Sequence, residues 1–125
     1  MRRPSVLIAE DNDDLRQLYI HTLSGMGFEV RMAGDGREAL DELRQRRPDV
    51  LVTDVMMPRM DGVELIRQVR EDLGLRDLPI IAVSAFPDYL SKAYINGATE
   101  TVRKSLDVDI LFNTLVRVMQ QEKAC

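Results

Sequence analysis

Short apolar segments alternate with segments of helical periodicity along the whole chain, and this alternation limits the folds that it can adopt. Between and after the apolar segments, hydrophobic residues recur every three or four positions, as on one face of an α-helix. Five βα units of this length predict a doubly wound α/β fold, with a parallel sheet and helices on both faces. The predicted strands cover residues 5–9, 28–32, 49–54, 80–83 and 99–103.

The composition of these strands predicts their order in the sheet. Strands one, three and four are nearly continuous apolar runs, as expected of strands that are buried on both faces. Strands two and five contain more polar residues, which suits the edges of a sheet. We therefore expect a flavodoxin-like, three-layer (βα)5 sandwich with the strand order 2-1-3-4-5, whose switch point lies between strands one and three.

Helix-breaking residues mark the ends of the predicted helices. Gly25 and Gly27 end the first helix, and Gly74 closes the third. The second helix begins at about Gly36 and stops before Pro48. No internal repeat, linker or low-complexity segment interrupts this pattern.

Acidic residues stand at the ends of two strands that are predicted to be neighbours. Glu10 and Asp11 follow the first strand, and Asp54 ends the third. Like charges ~4–5 Å apart repel by roughly 3–4 kcal/mol per pair at an effective dielectric constant near 20. A fold that gathers these carboxylates therefore needs a cation, a shifted pKa or both.

A hydroxyl and an ammonium group are predicted at the same edge of the sheet, since Ser84 ends strand four and Lys104 closes strand five. Each residue alone has an ordinary explanation, as a helix cap or a surface lysine. Together with the acids they suit a hard cation such as Mg²⁺, which takes oxygen ligands. With a metal screening its charge, Asp54 could act as a nucleophile toward a phosphoryl group, whose oxygens Ser84 and Lys104 would contact.

Length and composition set the broader class of the protein. A chain of 125 residues with 45% hydrophobic and 30% charged residues fits one globular domain, and we expect residues 1–125 to form it without an output domain. The net charge of −4 makes nucleic acid an unexpected partner. No apolar run is long enough to span a membrane, so a cytoplasmic location is expected. The core-like spacing of Met26, Met32 and Met119 predicts that these side chains fill the core.

Four stretches of the sequence match one known family. They read VLIAEDNDDLRQL, PDVLVTDVMMPRMDGVELI, LPIIAVSA and NGATETVRKS. Together they resemble, from end to end, the receiver domain of response regulators in two-component signalling. The resemblance implies that Asp54 is the phospho-acceptor and that Asp11 and Asp54 bind Mg²⁺ through their side chains. It further implies a third ligand in the backbone carbonyl of Met56, with Glu10 acting through metal-bound water. Ser84 and Lys104 match the family's hydroxyl and phosphate-pairing lysine.

The resemblance also implies a function. A histidine kinase or a phosphotransfer protein would donate the phosphoryl group to Asp54, and the acyl phosphate would later hydrolyse. The chain would then be a signalling phospho-acceptor and not an enzyme. A downstream protein would bind or leave the surface formed by helix four, strand five and helix five.

The chain departs from the family pattern at three points. Ser105 follows Lys104 in place of proline, so we expect a trans peptide bond, because a cis bond there costs about 2.5–4 kcal/mol. Thr101 replaces the usual inward-turning aromatic residue, so we expect output to depend on shifts near Ser84. The interval from Ser84 to Lys104 is shorter than is usual, which predicts a short, reoriented fourth helix starting near Pro87.

Three alternatives remain open at this stage. A pseudo-receiver would dock partners constitutively. The intact acidic set, Ser84 and Lys104 argue against it, whereas Thr101 and Ser105 argue mildly for it. A haloacid-dehalogenase-like phosphatase also uses an Asp nucleophile with Mg²⁺, but Met56 stands where it needs a second Asp. An FMN-binding flavodoxin is poorly supported, since Glu10 and Asp11 replace the Ser/Thr-rich loop that a phosphate needs.

Overall fold

Five strands and five helices alternate in the described part of the chain. The computed structural model describes residues 3–104 and 108–124, with the backbone alone for 121–124. The Lys104–Ser105 peptide bond, predicted to be trans, lies outside the described residues. The elements are β1 (Ser5–Ala9), α1 (Asp13–Gly25), β2 (Glu29–Ala33), α2 (Gly36–Gln45), β3 (Val50–Asp54), α3 (Gly62–Glu71), β4 (Ile80–Ser84), α4 (Pro87–Ile95), β5 (Glu100–Arg103) and α5 (Asp109–Ala124).

The strands form one parallel sheet in the order β2-β1-β3-β4-β5, which confirms the predicted flavodoxin-like fold. Every residue of β1, β3 and β4 is buried, because helices cover both faces of the central strands. The edge strands β2 and β5 are only partly buried, as their polar composition predicted.

Two apolar clusters hold the helices against the two faces of the sheet. On one face, α2, α3 and α4 pack on β1, β3 and β4 through residues such as Leu40, Ile66 and Ala93. On the other face, α1 and α5 pack on the sheet through Leu23 and Leu115. This arrangement is the predicted three-layer sandwich.

Polar side chains start the first three helices. Asn12, Asp35 and Asp61 precede α1, α2 and α3, and each accepts a hydrogen bond from the backbone amide three residues later. Helix α4 has no side-chain cap and begins at Pro87, as predicted. None of the helices in the described ranges combines the length and apolar character that a membrane span requires.

The prediction for the methionines is wrong at one position. Met32 and Met119 pack against the cluster on the α1 and α5 face. Met26 is 47% exposed, because it forms the C-terminal cap of α1 and the chain turns away at Gly27, where φ is +94°. The helical spacing that placed Met26 in the core ends one residue too early for it.

Candidate functional site

The three acidic residues that follow β1 and end β3 lie together at the carboxyl edge of the sheet. The register aligns Ala9 with Thr53, so the residues that follow them meet at the switch point. Glu10, Asp11 and Asp54 each offer one carboxylate oxygen, and these atoms all lie within 4.8 Å of one another. Glu10 and Asp54 are buried, with 2% and 7% of their surface exposed, whereas Asp11 is exposed.

Lys104 joins the two buried acids. Its Nζ donates to Oε1 of Glu10 and to Oδ2 of Asp54, at 2.9 Å in each case. Its backbone amide donates to the Ser84 carbonyl at 2.8 Å, which fixes the lysine at the end of β4. Although burial alone would lower it, the hydrogen bonds to Asp54 and Glu10 raise the pKa of Lys104 above its ordinary value. The ammonium group is therefore held charged at the centre of the site.

Glu10 is held on several sides. Its Oε2 accepts from the amide of Asn12 at 3.1 Å, and its carbonyl accepts from Nη1 of Arg16 at 2.9 Å. Burial raises the pKa of the Glu10 carboxyl, and the negative charge of Asp54 adds to this; the Lys104 ammonium only partly opposes the rise. The site therefore favours any additional positive charge beside Glu10.

Ser84 faces the same cavity from the end of β4. It is 1% exposed, and its Oγ accepts a hydrogen bond from the amide of Phe86 at 3.1 Å. The cavity has a volume of about 300 Å³. All six residues singled out from the sequence line it: Glu10, Asp11, Asp54, Met56, Ser84 and Lys104.

A wider groove of about 670 Å³ adjoins this cavity. It runs between the β3–α3 loop and α4, and Met56, Met57, Tyr89 and Lys92 are among its lining residues. The Lys92 Nζ lies 5.6 Å from the centre of the Tyr89 ring. The β3–α3 loop follows β3 and α4 follows β4, so both walls of the groove are connected to strands that end at the acidic cavity.

The charge of the site suits a hard divalent cation. Three carboxylates face a single ammonium group, which leaves two negative charges unbalanced among these four side chains. Carboxylate oxygens at this spacing, one of them exposed, are the donor set that Mg²⁺ prefers, and an exposed side leaves room for bound water. The acidic cluster could therefore hold a metal ion.

The β3–α3 loop closes tightly on the acidic strand. The Gly62 amide donates to the Val55 carbonyl at 2.7 Å, so the loop ends meet. A Cβ at Gly62 would collide with the Asp54 carbonyl oxygen. Glycine is therefore required here for close approach of two backbone segments.

Two residues beside the site were missed by the sequence reasoning. Asp35 is 1% exposed and forms an ion pair with Arg59 of the β3–α3 loop. Asp35 could have been found as a helix cap, since Glu38 follows it with the spacing of a capping box. The sequence carries no signal for its pairing with Arg59, which is 24 positions away.

Thr101, which departs from the family pattern, lies exposed on the edge strand β5 and pairs in register with Ala82. Exposure here fits the small apolar area of threonine.

Comparison with known families assigns this parallel sheet, with its acidic cluster at the switch point, to a class of domain. The response regulator receiver domain family matches residues 6–116. The chain therefore belongs to this family, whose members are modules of two-component signal transduction and not enzymes of the usual kind.

Individual relatives agree with this assignment. Hybrid signal transduction histidine kinase D of Dictyostelium discoideum is 36% identical over 124 residues, covering 98% of this chain and 8% of that protein. Response regulator MprA of Mycolicibacterium vanbaalenii is 45% identical over 80 residues, covering 64% of this chain and 34% of that protein. The chain thus spans only a minor part of either relative. The solved structure of chemotaxis protein CheY4 of Vibrio cholerae matches with a TM-score of 0.86 and 35% identity, covering 94% of this chain and 99% of that one.

Proposed function

We propose that this chain is the phospho-acceptor of a phosphorelay and that Asp54 receives the phosphoryl group. A phosphohistidine of a histidine kinase or of a phosphotransfer protein is the donor, which accords with the likeness to a hybrid histidine kinase. One observation carries the proposal: Asp54 lies buried in an open cavity, beside two further acids and bonded to one lysine. Residues 1–125 would act as one receiver domain.

Each residue of the cavity has a role in this proposal. Asp11, Asp54 and the backbone carbonyl of Met56 would bind Mg²⁺, with Glu10 acting through metal-bound water. The cation would screen the acids so that a carboxylate oxygen of Asp54 can approach the phosphorus. Lys104 would pair with the phosphoryl oxygens as a point charge.

The hydroxyl of Ser84 would carry the signal outward. Its Oγ accepts from the Phe86 amide, one residue before α4. A hydroxyl that turns to donate to a phosphoryl oxygen changes that hydrogen bond, and the first turn of α4 would respond. The α4–β5–α5 surface, altered at α4, would then bind or release a downstream protein in the cytoplasm. Nucleic acid and membrane are not proposed as direct partners.

The acceptor is tested by mass spectrometry after treatment with acetyl phosphate, with and without Mg²⁺. We expect one added phosphoryl group that requires Mg²⁺, and none on Asp54→Asn. Asp61→Asn is the matched control, because Asp61 caps α3 nearby and Asn caps equally well. Full labelling of Asp54→Asn would move the acceptor elsewhere.

A Mg²⁺ titration and a phosphatase assay on the same protein separate the alternatives. If the chain binds no Mg²⁺ near Asp54, the function of a constitutive docking module is favoured. Continuous turnover of a small phosphate ester would instead revive the phosphatase.

The route of the signal is tested by NMR on the phosphorylated chain. We expect the amide resonance of Phe86 to shift, because its hydrogen-bond acceptor moves, and that of Thr101 to stay nearly unchanged. The reverse pattern would show that the β5 edge carries the output despite its threonine.

A further inference from the structure

The loop that carries Met56 has an unusual backbone at its tip. Arg59 has a φ of +65°, the left-handed region that non-glycine residues seldom adopt. The Met60 amide donates to the Pro58 carbonyl at 2.7 Å, which closes a three-residue turn around Arg59. Such a conformation persists only where surrounding contacts determine it, and residues of this kind cluster at active sites, ligand clamps and switch regions.

An ion pair supplies the first of those contacts. Nε of Arg59 donates to Oδ2 of Asp35 at 2.8 Å, and a terminal nitrogen of the same guanidinium contacts the same oxygen. Asp35 is 1% exposed, while the Arg59 side chain is 65% exposed. The loop tip is thus fixed from outside to a buried carboxylate, which itself accepts from the Glu38 amide at 2.9 Å.

Backbone packing supplies the second contact. A Cβ at Gly36 would lie 2.7 Å from the Met60 carbonyl oxygen, so the loop rests directly on the first turn of α2. At its base the loop is closed by the hydrogen bond from Gly62 to Val55. Met56 lies between the closed base and the fixed tip, and it lines the acidic cavity.

We propose that Arg59 is a positioning residue for cation binding, which acts by tying the loop that carries Met56 to Asp35. The inference rests on the proposed function, in which the Met56 carbonyl is a metal ligand. Neither member of the pair lines the acidic cavity in the structure. Both act through the loop: when the pair is intact, the Met56 carbonyl is held ready, and binding of Mg²⁺ does not have to order it.

The test is the Mg²⁺ dissociation constant, measured by isothermal titration calorimetry on the wild type, Arg59→Ala, Asp35→Asn and the double variant. Substitution of residues that orient metal ligands commonly weakens metal affinity 10- to 100-fold. For this more remote pair we expect the Mg²⁺ affinity to fall about three- to tenfold. Asp35→Asn keeps the helix cap but removes the charge, so it should weaken binding to a similar extent. The double variant should bind no more weakly than either single variant, because both remove one interaction.

Two further measurements separate positioning from general destabilisation. Amide hydrogen exchange should accelerate across residues 56–61 in Arg59→Ala, and Arg59→Lys should recover part of the affinity because it restores a positive charge. Arg67→Ala is the matched control, since Arg67 is a half-exposed arginine with its own ion pairs to Glu64 and Glu71 on α3. Its Mg²⁺ affinity should equal that of the wild type.

The outcomes are distinguishable. If the wild type binds Mg²⁺ and Arg59→Ala binds it equally well with unchanged loop exchange, the positioning role is overturned. Additive losses in the double variant would overturn it as well, since the two residues would then act separately. If the wild type itself binds no Mg²⁺ at Asp54, the proposed function fails, and this inference fails with it.

Discussion

Replacing Lys104 by methionine should destabilise the metal-free protein, because it leaves two buried carboxylates without their shared cation. In the wild type the Lys104 ammonium offsets the repulsion between Glu10 and Asp54, which is at least about 3.5 kcal/mol for oxygens within 4.8 Å at an effective dielectric constant near 20. Protonation of Glu10 sets an independent ceiling on the loss of stability, because a protonated Glu10 no longer repels Asp54. For a carboxyl group with an ordinary pKa of 4.5, binding a proton at pH 7 costs about 3.4 kcal/mol. The two figures agree, and solvent on the open side of the site, where Asp11 is exposed and Lys104 is 27% exposed, reduces the expected loss to about 2–3 kcal/mol.

Magnesium should restore most of that loss. A divalent cation neutralises the same carboxylates, so the deficit of Lys104→Met should shrink to below about 1 kcal/mol in saturating Mg²⁺. The assay is urea denaturation at pH 7, followed by far-ultraviolet circular dichroism, in EDTA and in excess Mg²⁺. The variant should also gain more stability from Mg²⁺ than the wild type does, because no ammonium competes for the acids.

Lys92→Met is the control for this experiment. Lys92 is exposed on α4 and lies over the Tyr89 ring, so its loss should change the free energy of unfolding by less than about 0.5 kcal/mol in either buffer. Equal stability of Lys104→Met and the wild type in EDTA would contradict this prediction, because it would show that Lys104 does not offset the repulsion between the acids. A deficit that Mg²⁺ leaves unchanged would contradict it as well.

Two further predictions concern the scaffold of the site. In the same denaturation assay, Gly62→Ala should lower the free energy of unfolding by about 1–3 kcal/mol, because the added Cβ collides with the Asp54 carbonyl oxygen. Gly25→Ala is the control: its Cβ meets no atom within 4 Å, so this substitution should be neutral or stabilising. Burial alone would raise the pKa of Asp35. Hydrogen bonds from the Glu38 amide and the Arg59 guanidinium nevertheless hold this pKa below its ordinary value. Its charged form therefore stabilises the fold above the unfolded pKa of about 4, and this contribution disappears as the pH falls through the lower folded pKa. The stability difference between the wild type and Asp35→Asn should be constant from pH 7 to about 5 and shrink below about 4; a difference that grows with acidity would contradict the assignment.

The sheet could be predicted because burial leaves a direct trace in composition. Residues 6–9, 50–52 and 80–83 are apolar without alternation, as expected of strands that are covered on both faces. Once the strand order follows, the positions of Glu10, Asp54 and Lys104 follow with it, because parallel strands end at one edge. A contact between residues 94 positions apart was thus within reach of sequence reasoning.

The loop contacts were out of reach for a physical reason. The loop brings Arg59 to Asp35 by turning through a left-handed conformation at Arg59 itself, and an arginine at that position does not predict such a turn. The prediction that Met26 fills the core was wrong for another reason: the spacing of Met26 is helical, but α1 ends one residue before it. Periodicity reports the face of an element reliably and its last residue poorly, since capping depends on where the chain goes next.

The charges of the site explain why one lysine can serve every state of the proposed cycle. Three carboxylates against one ammonium leave a deficit of two positive charges, which a divalent cation fills and a monovalent one does not. With that cation bound, the four side chains and the ion would be neutral together, and Lys104 would share Glu10 and Asp54 with the cation. A phosphoryl group on Asp54 would then bring up to about two new negative charges and strong acceptor oxygens within reach of the Lys104 ammonium. Glu10, Asp11 and Asp54 would hold the cation, and sharing two of these acids with it would weaken their hold on Lys104, whose ammonium group could then pair with the phosphoryl oxygens.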